Sequence, residues 1–280
     1  MSAGFHKSLM RRLADRAGLW FCIFVLVSPA IFFFLWMISL SLKTEIDNIE
    51  WPPIFIPPAP TLANFVQVFA ENNFGKYLLN SILVTGGATL AGLMLGIPAG
   101  YGLAKMKATK LAGVIMIARM TPALSFLIPL FIAFQWLGLI NSIWALVITH
   151  LVITVPIIVW VMMGTFEGLP QDLEDAALID GATLWQSFRL IAVPLARPGI
   201  VVATILSFIF SWNNFVFGVV LGGKETRTLP VAVYNVLTFE QLAWGPLAAA
   251  AMLVMAPVLI VTIIAQRQIV VGLTAGGLKD

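Results

Sequence analysis

The sequence predicts an all-α polytopic membrane protein with six transmembrane helices. Hydrophobic residues make up 60% of the chain and charged residues only 10%. In soluble domains, hydrophobic residues average about 45–50% and charged residues about 25%. The apolar residues also gather in long uncharged runs, each near or above the roughly 20 residues that a helix needs to cross the hydrocarbon core. The single cysteine, Cys22, lies in the first run and excludes an intramolecular disulfide.

The first apolar run, residues 19–42, follows a basic segment at residues 1–18. Signal peptides begin in the same way, but this run is too long and lacks a small-residue cleavage site, so we expect it to remain as a span. The transmembrane domain is expected to cover 19–266 and to leave a C-terminal tail at 267–280. The five later spans are predicted at 77–104, 111–137, 143–166, 199–222 and 246–265.

Basic residues decide the orientation of these spans. With the N-terminus in the cytosol, eleven Lys and Arg residues fall on the cytosolic side and four on the opposite side, so the positive-inside rule places both termini and the loop at 168–198 in the cytosol. The eleven are Lys7, Arg11, Arg12, Arg16, Lys105, Lys107, Lys110, Arg189, Arg197, Arg267 and Lys279; the four are Lys43, Lys76, Lys224 and Arg227. Because the positive charges follow topology, nucleic acid is not expected as a partner.

Ionisable groups inside a membrane are costly and mark candidate functional positions. Arg119 is expected either to extend to the cytosolic interface or to reach a pore, and His150 either to pack as a hydrogen-bonded core residue or to relay protons. The spans contain no carboxylate pair of the kind that ion-coupled carriers often use. We therefore expect the energy source to lie outside the spans.

Two helical faces are distinctive. Gly92, Gly96 and Gly100 recur every four residues in the second span, a pattern that lets another helix approach closely. The fifth span carries a polar strip with aromatic neighbours, which predicts either interhelical hydrogen bonds or a path for a hydroxyl-rich solute. The strip consists of Thr204, Ser207, Ser211, Asn214 and Gly218, with Trp212, Asn213 and Phe215 beside it.

The sequence contains no motif for soluble catalysis. His6 and His150 are far apart and neither has a metal-like neighbour, and there is no GxxxxGK[ST] phosphate loop or Gx[ST]xG elbow. We expect no catalytic residue, no metal and no bound cofactor, so that any nucleotide must bind another chain.

The loop at 168–198 is the longest polar stretch on the cytosolic side. Pro170 suits the first position of a helix, and Asp172, Glu174 and Asp175 then fall in the early turns, where a helix N-terminus favours negative charge.

The same loop predicts a second short helix. Gly181 favours a left-handed end to the first helix, and Thr183 with Gln186 forms a capping-box pattern that begins the next one, which is expected to run to Pro194. Two short helices joined by a glycine turn predict a docking element.

At this loop the chain resembles a known family. Asp175-Ala176-Ala177, three residues, Gly181, nine residues and Ile191-Ala192-Val193-Pro194 resemble the cytosolic Glu-Ala-Ala, three, Gly, nine, Ile-x-Leu-Pro signature of ABC importer permeases. The IDGAT and FRLIAVPLARPG context is similar to the carbohydrate-uptake branch, especially its maltose-type second permease subunit. Further similarities are SLK at 41–43, Asn80-Ser81, SWNNF at 211–215 and GLTAGGLKD at 272–280.

Three positions depart from the family pattern. Asp175 stands where Glu is usual, although Glu174 precedes it, and Val193 replaces Leu. Asn214 stands where relatives often have an acid.

The resemblance implies a type I ABC importer permease fold in the bacterial inner membrane. The loop 168–198 would be a coupling helix pair seated on a cytosolic ATPase, with Trp185 and Phe188 anchoring it to the spans and the acids meeting basic groups on the partner. The implied docking residues are Glu174, Asp175, Ala176, Ala177, Asp180, Gly181, Trp185, Phe188 and Pro194.

The resemblance also implies a set of partners. These are a second, homologous permease, two ATPase subunits that hold ATP and Mg²⁺, an extracytoplasmic solute-binding protein whose cleft meets the loop 223–245, and membrane lipid. The C-terminal tail would reach the ATPase pair. The solute would be a sugar, polyol or glycosyl compound. The alternatives are a carrier that works alone, by ion coupling or by facilitated diffusion, and a membrane receptor or assembly factor.

Overall fold

The computed structural model describes residues 2–71, 73–236 and 243–275, without the side chains of residues 2–15, 71, 118, 119, 123, 235, 265 and 267–275. Helices account for most of this part of the chain. They are α1 Ser2–Ser41, α2 Glu45–Ile49, α3 Ala63–Glu71, α4 Phe74–Lys105, α5 Thr109–Met120, α6 Ala123–Trp136, α7 Ile143–Glu167, α8 Asp172–Ile179, α9 Leu184–Ser187, a π-helix Phe188–Ala192, α10 Val193–Leu195, α11 Arg197–Trp212, α12 Val216–Leu221, α13 Leu229–Val236 and α14 Trp244–Ala275.

Residues 1–71 with 239–252 form one compact unit. Several of its hydrogen bonds lie just beyond α1, where the Asn64 side chain donates to the carbonyl oxygens of Ser41 and Lys43 at 2.9 and 2.7 Å. The buried Lys43 ammonium donates to the Ile54 carbonyl at 2.6 Å. The Lys43 bond holds the proline-rich segment 51–60, which is not helical, against the end of α1.

In the same unit a carboxylate lies at the start of α14. The Glu45 side chain accepts hydrogen bonds from the backbone N–H groups of Trp244 and Gly245 at 2.9 and 3.1 Å. A helix N-terminus has unpaired N–H donors and a positive dipole end, so an acidic side chain stabilises it.

Residues 72–238 with 253–280 form the second unit, which is built around α4, α7 and α11. Ile158, Met162 and Phe166 of α7 pack with Phe188, and the buried alanines Ala192, Ala196 and Ala203 belong to the same cluster. A second cluster contains Val84, Ala145, Leu146 and Phe217.

Four helices in the described ranges are long and apolar enough to cross a membrane: the Arg16–Ser41 part of α1, α4, α7, and the Trp244–Ile264 part of α14. A fifth candidate is the pair Leu184–Leu195 and Arg197–Trp212, which bends by 75° at its break. The all-α fold class is confirmed, but the six predicted spans do not all exist as continuous helices. In addition, α14 continues to Ala275 instead of ending near 265, and residues 276–280 of the predicted tail lie outside the described residues.

The predicted third span, 111–137, is divided between α5 and α6. The break falls at Thr121 and Pro122, where Pro122 has ψ 133° and no N–H to donate. Proline disfavours a helical conformation of the residue before it and removes a helical hydrogen bond. This explains why a continuously apolar run does not give one helix.

The predicted fifth span, 199–222, is also divided. α11 ends at Trp212, α12 starts at Val216, and the Asn214 side-chain oxygen accepts a hydrogen bond from the Phe217 N–H at 3.1 Å. Short amide side chains compete with the helix for backbone groups. The Asn213-Asn214 pair therefore interrupts the span.

Candidate functional site

The acidic start of the loop 168–198 forms α8, with Asp172, Glu174 and Asp175 in its first turn as predicted. The prediction for Pro170 was wrong, because α8 begins at Asp172 and Pro170 stays outside the helix. Gln171, which follows Pro170, is the N-cap residue of α8.

The turn between the two loop helices is confirmed. Gly181 has φ +91°, a conformation that side chains other than glycine rarely adopt. Thr183 and Gln186 form a complete capping box, in which the Thr183 hydroxyl accepts from the Gln186 N–H and the Gln186 side chain accepts from the Thr183 N–H.

The tip of this loop exposes an acidic and apolar surface. Asp175, Ala176 and Asp180 are exposed, and Ala177 is half-buried. Ile179, Leu184 and Trp185 surround the glycine turn with exposed fractions of 86%, 70% and 63%. We call the exposed residues Asp175, Ala176, Ile179, Asp180, Leu184 and Trp185 the docking surface.

Glu174 is not part of the docking surface, contrary to the prediction. It is only 5% exposed, and its carboxylate accepts a hydrogen bond from the Tyr101 hydroxyl at 2.6 Å and pairs with the Lys105 ammonium at 3.1 Å. The Ser187 hydroxyl also donates to it at 3.4 Å. The helical period turns Glu174 and Asp175 about 100° apart, so one carboxylate points inward while its neighbour stays exposed.

Aromatic rings continue this internal contact. Tyr101 of α4, Phe166 of α7 and Phe188 of the π-helix meet with centroid distances of 4.8 to 6.3 Å. Phe188 therefore anchors the loop to the spans as expected, whereas Trp185 does not: it touches Phe188 at 5.2 Å but remains largely exposed. Pro194 is also exposed, within the short helix that follows the π-helix.

Two serines of the polar strip in α11 point into the chain. Ser207 and Ser211 are 0% and 1% exposed, and the Ser211 hydroxyl shares a hydrogen bond with His150 Nδ1 of α7 at 2.7 Å. No solute can reach either serine within this chain as it stands. For Ser211 the structure therefore favours interhelical hydrogen bonding.

The break between α11 and α12 contains or borders Trp212, Asn213, Asn214 and Phe215, whereas the half-buried Thr204 lies earlier in α11. Trp212 is buried and its indole N–H donates to the Val254 carbonyl of α14 at 3.0 Å, which makes it a packing residue. Asn213 is exposed, Asn214 and Phe215 are half-buried, and Phe215 contacts Tyr234 edge-on at 5.3 Å. Of the residues at this break, Asn213, Asn214 and Phe215 keep surface that a solute could contact.

The glycine ridge of α4 faces α7. A Cβ atom on Gly92, Gly96 or Gly100 would come within 2.9 Å of Thr154, Ile158 or Met162. This close approach matches the helix-packing interpretation, and it explains why α4 and α7 form the centre of their unit.

His150 is buried, and among the described residues its Nε2 has no hydrogen-bond partner. Its single side-chain hydrogen bond, to Ser211, matches the packed interpretation better than a proton relay, which needs a chain of partners. The Arg119 side chain lies outside the described residues.

A contact that the sequence did not predict fixes the loop 223–245 to α4. The Asn80 side chain donates to the carbonyl oxygens of Glu225 and Arg227, both at 2.9 Å, and Ser81 accepts from the Leu229 N–H at 2.8 Å. Lys76 pairs with Glu225, and this hydrogen bond lowers the pKa of the Glu225 carboxyl. Asn80-Ser81 was noted only as a family similarity; its partners lie about 145 residues away. The part of the loop at 237–242 lies outside the described residues.

Comparison with known proteins agrees with these features. A family model described as "Binding-protein-dependent transport system inner membrane component" matches residues 92–271. The sulfoquinovosyl glycerol transport system permease protein of Agrobacterium fabrum is 34% identical over 91% of both chains. The trehalose transport system permease protein of Mycobacterium tuberculosis is 34% identical over 95% of this chain and 99% of its own length.

Solved structures share the fold. A chain from a bacterial ABC transporter involved in the import of the acidic polysaccharide alginate superposes with a TM-score of 0.72 at 20% identity, covering 93% of this chain and 97% of its own. A chain of the MetNI methionine ABC transporter gives a TM-score of 0.57 at 18% identity, over 70% and 94% of the two chains. The chain therefore belongs to the inner membrane components of binding-protein-dependent transport systems, and it is a permease of an ABC importer.

Proposed function

We propose that this permease takes up a sugar, polyol or glycosyl compound that an extracytoplasmic solute-binding protein delivers. The names of the relatives support this class, since they include permeases for sulfoquinovosyl glycerol, trehalose and diacetylchitobiose. Asn213, Asn214 and Phe215, with Tyr234 beside them, combine amide groups and aromatic rings. Such groups suit the hydroxyls and apolar faces of carbohydrates.

The loop 168–198 is the proposed seat of a cytosolic ATPase subunit, which would bind ATP and Mg²⁺. The docking surface is the observation that supports ATPase binding at this loop. Three large apolar side chains there are more than half exposed, beside acids on a polar loop. Contiguous exposed apolar side chains of this kind mark interaction sites. The acids suit a partner with basic groups around an apolar cleft.

In the assembled importer, two ATPase subunits would act on this chain and on a second, homologous permease in the lipid bilayer. Both termini of this chain would lie in the cytosol of a bacterium, with the transmembrane domain at 19–266. Closure of the ATPase pair would push the docking surface and tilt the spans between inward-facing and outward-facing states. Loop 223–245 would meet the binding protein, and the tail from 267 would approach the ATPase pair.

Affinity purification tests this proposal. The chain is tagged, expressed in its own host with its neighbouring genes intact, and extracted in mild detergent. We expect an ABC ATPase and a second permease to be retained, and we expect Ile179→Asp to lose the ATPase while keeping the permease. Met106, 76% exposed beyond the end of α4, gives the matched control Met106→Asp, which should keep both. Retention of the ATPase by Ile179→Asp would remove the loop from the interface.

The solute class is tested on the binding protein encoded beside this chain. Its melting temperature is measured with trehalose, a sulfonated glycoside, a polyol and methionine. A rise with one of the first three supports the proposal, and a rise with methionine alone contradicts it. Transport by the purified chain alone in liposomes, without any ATPase, would establish the stand-alone carrier instead.

A further inference from the structure

Two adjacent acids of α8 have opposite surroundings. Asp175 is exposed on the docking surface, whereas Glu174 is buried and holds three partners through Tyr101, Lys105 and Ser187. Burying a carboxylate is unfavourable unless hydrogen bonds and an opposite charge compensate for its lost hydration. Glu174 meets this condition entirely within the chain, so it does not need a partner protein.

The three partners come from two different parts of the chain. Tyr101 and Lys105 belong to the cytosolic end of α4, and Ser187 ends α9. The Lys105 ammonium also lies 5.8 Å from the Tyr101 ring centroid. We call the loop 168–198 the docking loop. The Glu174 carboxylate therefore joins both helices of the docking loop to the last turns of α4.

Aromatic rings pack against the contact between Glu174 and α4. Tyr101 contacts Phe188 and Phe166 at centroid distances of 4.8 and 5.2 Å, and Phe188 is 8% exposed. Closely packed interiors deform little and transmit displacement. A push on α8 is thus resisted first at α4 and α7, without an intervening flexible segment.

We propose that Glu174 is a positioning residue that transmits movement of the docking loop to α4, and that Asp175 is the acid that meets the ATPase. The proposal rests on the function proposed above. The two acids then have different roles. Loss of the Asp175 charge weakens ATPase binding. Loss of the Glu174 charge leaves ATPase binding intact but stops the movement of α8 from reaching α4.

The test uses the complete complex in proteoliposomes, with a probe that needs no knowledge of the solute. Leu79, 55% exposed near the outer end of α4, is changed to cysteine in a Cys22→Ala chain and labelled with a maleimide. The labelling rate is compared with and without Mg²⁺ and a non-hydrolysable ATP analogue. In the otherwise unchanged chain we expect the nucleotide to alter this rate.

Five variants then separate the two roles. Glu174→Gln and Lys105→Met should retain the ATPase subunit but lose the nucleotide response of the labelling rate, and combining them should cause no further loss. Lys105→Arg, which keeps the charge, should keep the response. Asp175→Asn should reduce the amount of ATPase retained.

The proposal is overturned if Glu174→Gln releases the ATPase as Asp175→Asn does. It is also overturned if Glu174→Gln and Lys105→Met keep the full nucleotide response of the labelling rate, or if the unchanged complex shows no such response. Should Glu174→Gln fail to accumulate, Lys105→Met decides, because the Lys105 side chain is 37% exposed and its loss leaves a hydrogen-bonded carboxylate. Absence of any ATPase from the unchanged complex would instead refute the proposed function.

Discussion

Ser211 and His150 form a hydrogen bond between α11 and α7 in a part of the chain that excludes water. The spacing of Ser207 and Ser211 along α11 predicted a common face, but it could not tell whether that face met a solute or another helix. The answer depends on a residue 61 positions away in the sequence, which no local pattern specifies.

Removing this bond should destabilise the chain. Ser211→Ala leaves both His150 nitrogens without a described partner, and an unsatisfied buried polar group costs about 1–3 kcal/mol. We expect a lower melting temperature in detergent. Thr204→Val is the control, because within the described residues the Thr204 hydroxyl bonds only to the Ile200 carbonyl of its own helix and valine keeps its shape. Equal melting temperatures for the two variants would contradict the assigned role.

Gly181 should be sensitive to any side chain, although no atom lies within 4 Å of the position that its Cβ would take. The strain comes from φ +91° alone, and a left-handed conformation costs a non-glycine residue about 1–2 kcal/mol. Gly181→Ala should leave membrane insertion intact and reduce ATPase retention. Gly168→Ala, in the same loop with φ −81° and ordinary contacts, should retain it fully. Gly181→Pro cannot adopt this φ at all, and normal solute uptake by that variant would refute the docking role.

At the level of secondary structure, caps and glycine turns were predictable because each depends on residues within about four positions. The breaks at Pro122 and at Asn213-Asn214 were not predicted, because a continuous apolar run indicates a single span, whereas proline and asparagine act on the backbone locally. The burial of Glu174 could not be foreseen, since Tyr101 is 73 residues away. The sequence signal for the burial of Glu174 was its position one residue before Asp175, because adjacent residues of a helix cannot both face solvent in the same direction.

The packing of α4 against α7 gives a prediction for a helix pair. A methyl group on Gly96 would lie 2.6 Å from Ile158 Cγ2, and such overpacking costs about 1–3 kcal/mol. We expect Gly96→Ala to lower the melting temperature and Ile158→Ala to restore part of the loss. Gly86→Ala in the same helix meets nothing within 4 Å and should be neutral or stabilising. A neutral Gly96→Ala would show that α4 and α7 separate easily.

For the whole molecule, composition and the length of the apolar runs predicted an all-α membrane fold, because those properties are set by the bilayer. The orientation of the termini rests on the positive-inside count and remains a prediction. The glycine ridge predicted a packing face on α4, but the helix that meets it was not predictable, because the contacts of Gly96 and Tyr101 unite distant parts of the chain.

Cysteine labelling tests the orientation. In a Cys22→Ala chain, single cysteines replace Gln186 in the docking loop and Lys224 in the loop 223–245, both exposed. With intact spheroplasts, a membrane-impermeant maleimide should label position 224 and reach position 186 only after the membrane is opened. Labelling of position 186 in intact spheroplasts would invert the proposed topology.

The two ends of α4 carry the attachments of both loops that are proposed to meet other proteins. Asn80 holds the loop 223–245 and Lys105 holds the docking loop, and about 25 helical residues at 1.5 Å each set these anchor points about 38 Å apart. The length of α4 therefore sets the distance between the two loop attachments. Any change in the distance between the loops must bend α4, for which Pro98 is the one internal proline, or break one of the two attachments.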